Sequence, residues 1–180
     1  MTIKDITKEE VNLLLTSNLS YKYKLAIYIG CIDGLRISEI CSLKLEDLDF
    51  VNNLYTLKNQ KNKLKFKNRY MSNKVKKQII LYIFMNFINI INHKNYLIYS
   101  NGLKHKLNSS KFGWTLQRWR KKLNIDRIYK ISKNGKKLAR NTIHATRVKS
   151  TTDFIKKSYE KNGFVDPISI QIHGGWLALS

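Results

Sequence analysis

Four short clusters carry side chains able to work on a phosphate. The first is Gly34-Leu35-Arg36-Ile37-Ser38-Glu39. The glycine ends one helical pattern and Arg36 stands at the entry to the next. Glu39 follows three residues on, so on a helix it shares a face with Arg36. A planar guanidinium held by a carboxylate can clamp a phosphate with two hydrogen bonds; a surface ion pair is the plainer alternative. The second cluster is His144-Ala145-Thr146-Arg147. Helical spacing of three sets both chemical groups on one face. The imidazole can exchange a proton near neutral pH, and the guanidinium can stabilise charge on a phosphate. His-x-x-Arg also occurs often by chance. The third is Gly174-Gly175-Trp176. Glycines allow close backbone approach, and the indole N–H is a single donor that can reach a phosphate oxygen, unless Trp176 only packs in a core. The fourth is a basic turn with Lys58, Lys61 and Lys63. A lysine there can swing into a cleft and give a proton to a leaving oxygen, or contact phosphate from a solvated turn.

The charge of the whole chain agrees with a phosphate target. Lys plus Arg number 34 against 12 Asp plus Glu, a net charge of +22 over 180 residues. Such a charge opposes compaction unless a polyanion neutralises it, and nucleic acid is the obvious one. A membrane surface fits less well. The most apolar stretch, residues 79–91, is broken by Asn86 and Asn89 and is too short to span a bilayer. The first ten residues lack the apolar segment of a signal peptide, so an intracellular, DNA-associated placement is expected. Cys31 and Cys41 read as two buried thiols of a reducing compartment.

The elements that must position these clusters follow from periodicity. Thr7 and Glu10 form a capping box, so a helix should run to about Leu15. Residues 21–32 read as a largely buried second helix, broken by Asp33-Gly34, with a short third helix at 37–43. The period then changes to that of strands at 45–50, 54–58 and 64–71, which predicts a three-stranded antiparallel sheet. Residues 73–91 return to helical spacing. Residues 111–123 make a basic helix bearing Trp114 and Trp119. Residues 130–140 read as a basic, glycine-containing loop, 142–157 as a helix and 167–172 as a last short helix. The expected fold is mainly α with a small three-stranded sheet, in one domain over residues 1–180. Arg118 and Arg120 of the basic helix, Lys136 and Arg140 of the loop, and Lys58 and Lys63 are candidate DNA contacts.

In this order the four clusters resemble the catalytic domain of the tyrosine recombinase (phage integrase) family. Gly34 to Glu39 match its G-L-R-x-x-E box, His144 to Arg147 its H-x-x-R box, and Gly175-Trp176 its third position, a His or Trp after glycine. The stretch from His144 to Val148 followed by Gly-Gly-Trp looks most like the Cre branch. The resemblance implies phosphoryl transfer needing neither metal nor other cofactor. A tyrosine hydroxyl attacks a DNA phosphate, forms a 3′-phosphotyrosyl link, and releases a 5′-hydroxyl that later attacks the partner strand. Arg36 and Arg147 would bind the non-bridging oxygens. His144 would serve in acid–base work, Trp176 would donate a hydrogen bond, and Glu39 would orient Arg36. A hairpin lysine, Lys61 by preference over Lys63 and Lys58, would protonate the leaving oxygen. Double-stranded DNA and a homo-oligomer assembled on it are the implied partners, with no small-molecule substrate.

The chain also departs from the family pattern. The family's spacing puts the nucleophilic tyrosine past Ser180, whether Trp176 or the less fitting His173 is the third-box residue. Tyr159, between the second and third boxes, suits packing or surface better than catalysis. The separate N-terminal DNA-clamping domain is expected to be missing as well. From Arg147 to Trp176 is 29 residues, longer than Cre-like members suggest, with the excess expected in a loop over 157–166. Two readings follow for the domain: an enzyme whose nucleophile comes from elsewhere, or a remnant that only binds DNA. A basic DNA-binding module with no catalytic ancestry competes with both, but leaves the ordered boxes unexplained.

Overall fold

The computed structural model describes residues 7–58, 66–86, 95–100, 105–125, 128–131, 137–139 and 142–164. The chain opens with α1 (Lys8–Thr16), capped as its sequence implies. The Thr7 Oγ1 accepts from the Glu10 amide at 3.2 Å, and the Glu10 carboxylate accepts from the Thr7 amide at 2.9 Å. Next comes α2 (Tyr21–Ile32), apolar on most of its circumference, which is the signature of a helix buried by neighbours on several sides. It packs against α1, α3 (Ile37–Ser42), α4 (Asn73–Met85) and α6 (Thr142–Asn162). Its residues Leu25, Ala26, Ile27 and Ile29 are almost wholly buried.

The sheet has the order β1 (Leu48–Asp49), β2 (Leu54–Lys58), β3 (Phe66–Tyr70), antiparallel throughout. On β2, Tyr55 and Leu57 face the core while Thr56 and Lys58 face outward, the alternation a one-sided sheet requires. The first expected strand is shorter than its pattern. Residues Leu45–Asp47 form a 3₁₀ turn because the Asp47 carboxylate accepts from the Lys44 amide at 2.8 Å, an N-cap bond that tightens the chain before it can pair. Residues 95–100 run alongside, with Leu97 donating to the Leu43 carbonyl and Leu45 donating to that of Asn95.

α5 (Ser109–Lys122) starts at Asn108, whose side chain accepts from the Ser110 and Lys111 amides. Phe112, Leu116 and Arg120, four apart, form its buried face. Two expectations change beyond it. The supposed loop over 130–140 contains a two-stranded ribbon, β4 (Ile128–Ile131) and β5 (Lys137–Ala139). The supposed loop after Lys157 begins as helix: α6 continues to Asn162 and stops at Gly163, whose φ of +71° is the left-handed conformation favoured after a helix end. Residues 87–91 of the expected fourth helix and the short helix over 167–172 lie outside the described residues. Cys41 is buried but Cys31 only half-buried, and neither is in a disulfide; burial pushes the Cys41 thiol up to about 12, which keeps it protonated. Among the described residues no helix is long and apolar enough to cross a membrane.

Candidate active site

Arg36 is the N-cap of α3, in extended backbone conformation directly after the turn at Gly34, whose φ is +68°. Glu39 holds it twice. The Arg36 amide donates to Glu39 Oε2 at 2.6 Å, and the guanidinium Nη1 donates to Oε1 at 3.1 Å. The Arg36 side chain is 49% exposed and that of Glu39 only 17%. An exposed i,i+3 pair is worth about 0.3–0.5 kcal/mol, too little to matter for folding. What the pair contributes is aim: Nη1 is held by Glu39 while the side chain stays half exposed.

Behind Arg36 lies a buried polar network that ties the turn to the sheet. The Asp33 carboxylate accepts from the Tyr55 hydroxyl at 2.7 Å and from the Ser72 amide at 3.3 Å. From β3, Arg69 donates to the Asp33 carbonyl at 3.2 Å. Burial raises the Asp33 carboxyl above its usual range, although the Tyr55 and Ser72 bonds and the nearby Arg69 work against that rise. Burial likewise lowers the Arg69 guanidinium, opposed by Glu39 and Asp33. Tyr55 is fully buried and its phenol is raised, by burial first and then by the charge of Asp33. These residues are distant in sequence, and only a conspicuous Asp-Gly pair and an arginine in a strand pattern hint at them.

The second tie joins α6 to the same turn. The Ser150 hydroxyl donates to the carbonyl of Ile32, the last residue of α2, at 2.9 Å. Ser150 lies three residues after Arg147, and Thr151 lies four after Arg147 and seven after His144. Thr151 therefore shares a side of α6 with both box residues. Ser150 and Thr151 are buried. The His144–Arg147 segment of the helix thus lies within two turns of the point where α6 meets the end of α2, and Arg36 follows that point by four residues.

The remaining candidates divide. Lys58 is exposed at the end of β2, and Arg118 is exposed on α5, where Lys111, Trp114 and Lys121 also face solvent. Arg120 does not belong with them. It is 1% exposed and donates to the Ile125 carbonyl at 3.2 Å, so it staples the end of α5 and does not reach a duplex. The backbone of α6 carries His144 and Arg147, whose side chains fall outside the described residues. Lys61, Lys63, Lys136, Arg140 and Trp176 also fall outside them.

Residues 4–165 match the model of the phage integrase family. No curated protein matches the sequence. Among solved structures, the chain is similar to XerA recombinase at 20% identity and a TM-score of 0.67, over 97% of this chain and 56% of that one. It is similar to the Tn1549 transposon integrase in complex with circular intermediate DNA at 22% identity and a TM-score of 0.68, over 97% and 58%. It is also similar to XerH site-specific recombinase bound to difH substrate at 18% identity and a TM-score of 0.68, over 99% and 48%. The chain thus spans about half the length of each. Affinity to the Cre branch in particular remains an expectation of the sequence. With the family's model matched over most of its residues, its boxes present in order and its fold that of a tyrosine recombinase catalytic domain, the chain belongs to the phage integrase family.

Proposed function

We propose that this chain is the catalytic domain of a site-specific DNA recombinase or integrase, acting on double-stranded DNA within a homo-oligomer. The observation that carries the reading is the turn at residues 33–36. Arg36 is held by Glu39 with its side chain half exposed, and α6 is fixed to the end of α2 beside it. Arg36 and Arg147 take the non-bridging oxygens of one DNA phosphate and stabilise the charge that develops there. His144 moves the proton in acid–base work, and Trp176 donates its indole N–H to a phosphate oxygen. Lys61, or else Lys63 or Lys58, protonates the departing 5′-oxygen. The nucleophile is a tyrosine from outside residues 1–180, so these residues alone form no covalent adduct. Lys58, Lys63, Arg118, Lys136 and Arg140 contact the DNA backbone, and the net charge of +22 favours such contacts through counterion release.

A nicked duplex that traps the 3′-phosphotyrosyl intermediate tests the reading. A tyrosine-bearing C-terminal segment, fused or added in trans, should give a covalent protein–DNA adduct. Arg147→Ala should lower its rate about 10²–10³-fold, the usual cost of one transition-state donor. Absence of adduct with every such segment, together with steeply salt-dependent duplex binding, would leave the non-catalytic DNA-binding reading. Duplex binding insensitive to salt would contradict both.

A further inference from the structure

We infer that Arg69 of β3 is a positioning residue for Arg36, holding the turn that presents it. The inference rests on the reading of Arg36 as a phosphate clamp. Arg69 sits 36 residues from Asp33 in sequence and reaches its backbone carbonyl at 3.2 Å. That carbonyl belongs to the peptide leading into Gly34, where the chain takes its positive φ. The same turn is held through the Asp33 side chain by Tyr55 and the Ser72 amide. The sheet therefore grips Asp33 by backbone and side chain together.

Charge gives Arg69 its second role. Its guanidinium lies within electrostatic reach of Glu39, Asp33 and Arg36. Facing Arg36 alone, Glu39 would bind it as fully as geometry allows. The positive charge of Arg69 acts on the same carboxylate, and like charge favours the solvent-facing position of Arg36. The unequal exposure of Arg36 and Glu39, 49% against 17%, fits this arrangement. A neutral donor could hold the Asp33 carbonyl, but only a cation also acts by charge on Glu39 and Arg36.

The test uses the full 180-residue chain and its variants Arg36→Ala, Arg69→Gln, Arg69→Lys and Arg36→Ala/Arg69→Gln. Binding to duplex DNA is measured against salt, where each lost phosphate contact lowers the slope of log K on log salt by about 0.9. Arg36→Ala and Arg69→Gln should each lose about one contact, and the double variant no more than either, because both remove the same one. Arg69→Lys should retain most of the slope. In the free protein, ¹⁵N resonances of the Arg36 guanidinium should change in Arg69→Gln while the methyl spectrum of the core is preserved. A double variant that loses about two contacts would make Arg69 a phosphate ligand in its own right and overturn the inference. So would an unchanged slope with an unchanged Arg36 spectrum, or failure of both Arg69 variants to fold. Wild-type binding without salt dependence would overturn the DNA reading, while the guanidinium spectrum would still decide whether Arg69 positions Arg36.

Discussion

Replacing Ser150 with alanine should destabilise the domain by cutting the tie between α6 and the Arg36 turn. The Ser150 hydroxyl is 2.9 Å from the Ile32 carbonyl, and Ser150 is 3% exposed. Ile32 ends α2, so its carbonyl is one of the last four that the helix itself leaves without a donor. Deleting the hydroxyl removes a donor from a part-buried acceptor, which costs at most about 1–3 kcal/mol. Alanine returns up to about 0.5 kcal/mol in helix propensity. The expected net loss is about 0.5–2.5 kcal/mol, and for a chain of this size each kcal/mol lowers Tm by about 2–4 °C. Urea denaturation and thermal melting would measure it, with Ser158→Ala, further along α6 and half-buried, as the control. An Ser150→Ala protein as stable as the wild type would refute the tie. Loss of stability in the Ser158 control to the same extent would show that the helix, and not this bond, is what was measured.

Three further outcomes are expected. Tyr55→Phe removes a 2.7 Å donor to a buried carboxylate and should cost about 1.5–3 kcal/mol, the range for bonds to charged groups, read by the same urea titration. The Asp33 carboxyl is raised above 3.8 in the folded state, by burial, so the fold holds that proton more tightly than the unfolded chain does. Its contribution to stability is therefore fully present below pH 3.8, is lost as pH rises through the folded value, and is constant above it. Denaturation of wild type against Asp33→Asn across this range should show their difference falling with pH, and a rising difference would contradict the burial argument. Arg118→Ala, which removes an exposed cation from α5, should lower the salt slope of duplex binding by about 0.9, while Arg120→Met should leave that slope unchanged.

The elements near the start of the chain were the most legible. Thr7 and Glu10 announce α1 through reciprocal capping, and the apolar run from Tyr21 stops where Asp33-Gly34 breaks it, the bounds that α2 shows. Legibility fell where side chains carry little periodic information. The last two turns of α6 bear mostly exposed residues, so no apolar stripe marks how far the helix goes, although Gly163 could have been taken as its stop. The ribbon of β4 and β5 lies in a stretch crowded with lysine, which reads as loop. The charge of Arg120 suggests a DNA contact, but its position, four residues after Leu116 and eight after Phe112, puts it on the buried face of α5. The Arg36–Glu39 pair was visible in its spacing. Its support by Asp33, Tyr55, Arg69 and Ser72 was not, since it depends on contacts between segments 22 to 39 residues apart.

The proposed catalysis depends most on Arg36 and Arg147 serving one phosphate. A structure of this chain bound to duplex DNA tests that directly. Both guanidinium groups should lie within hydrogen-bond distance of the same phosphate, with His144 beside it. Arg36 and Arg147 found on separate phosphates, or with one of them turned away from the DNA, would contradict the proposed catalytic site.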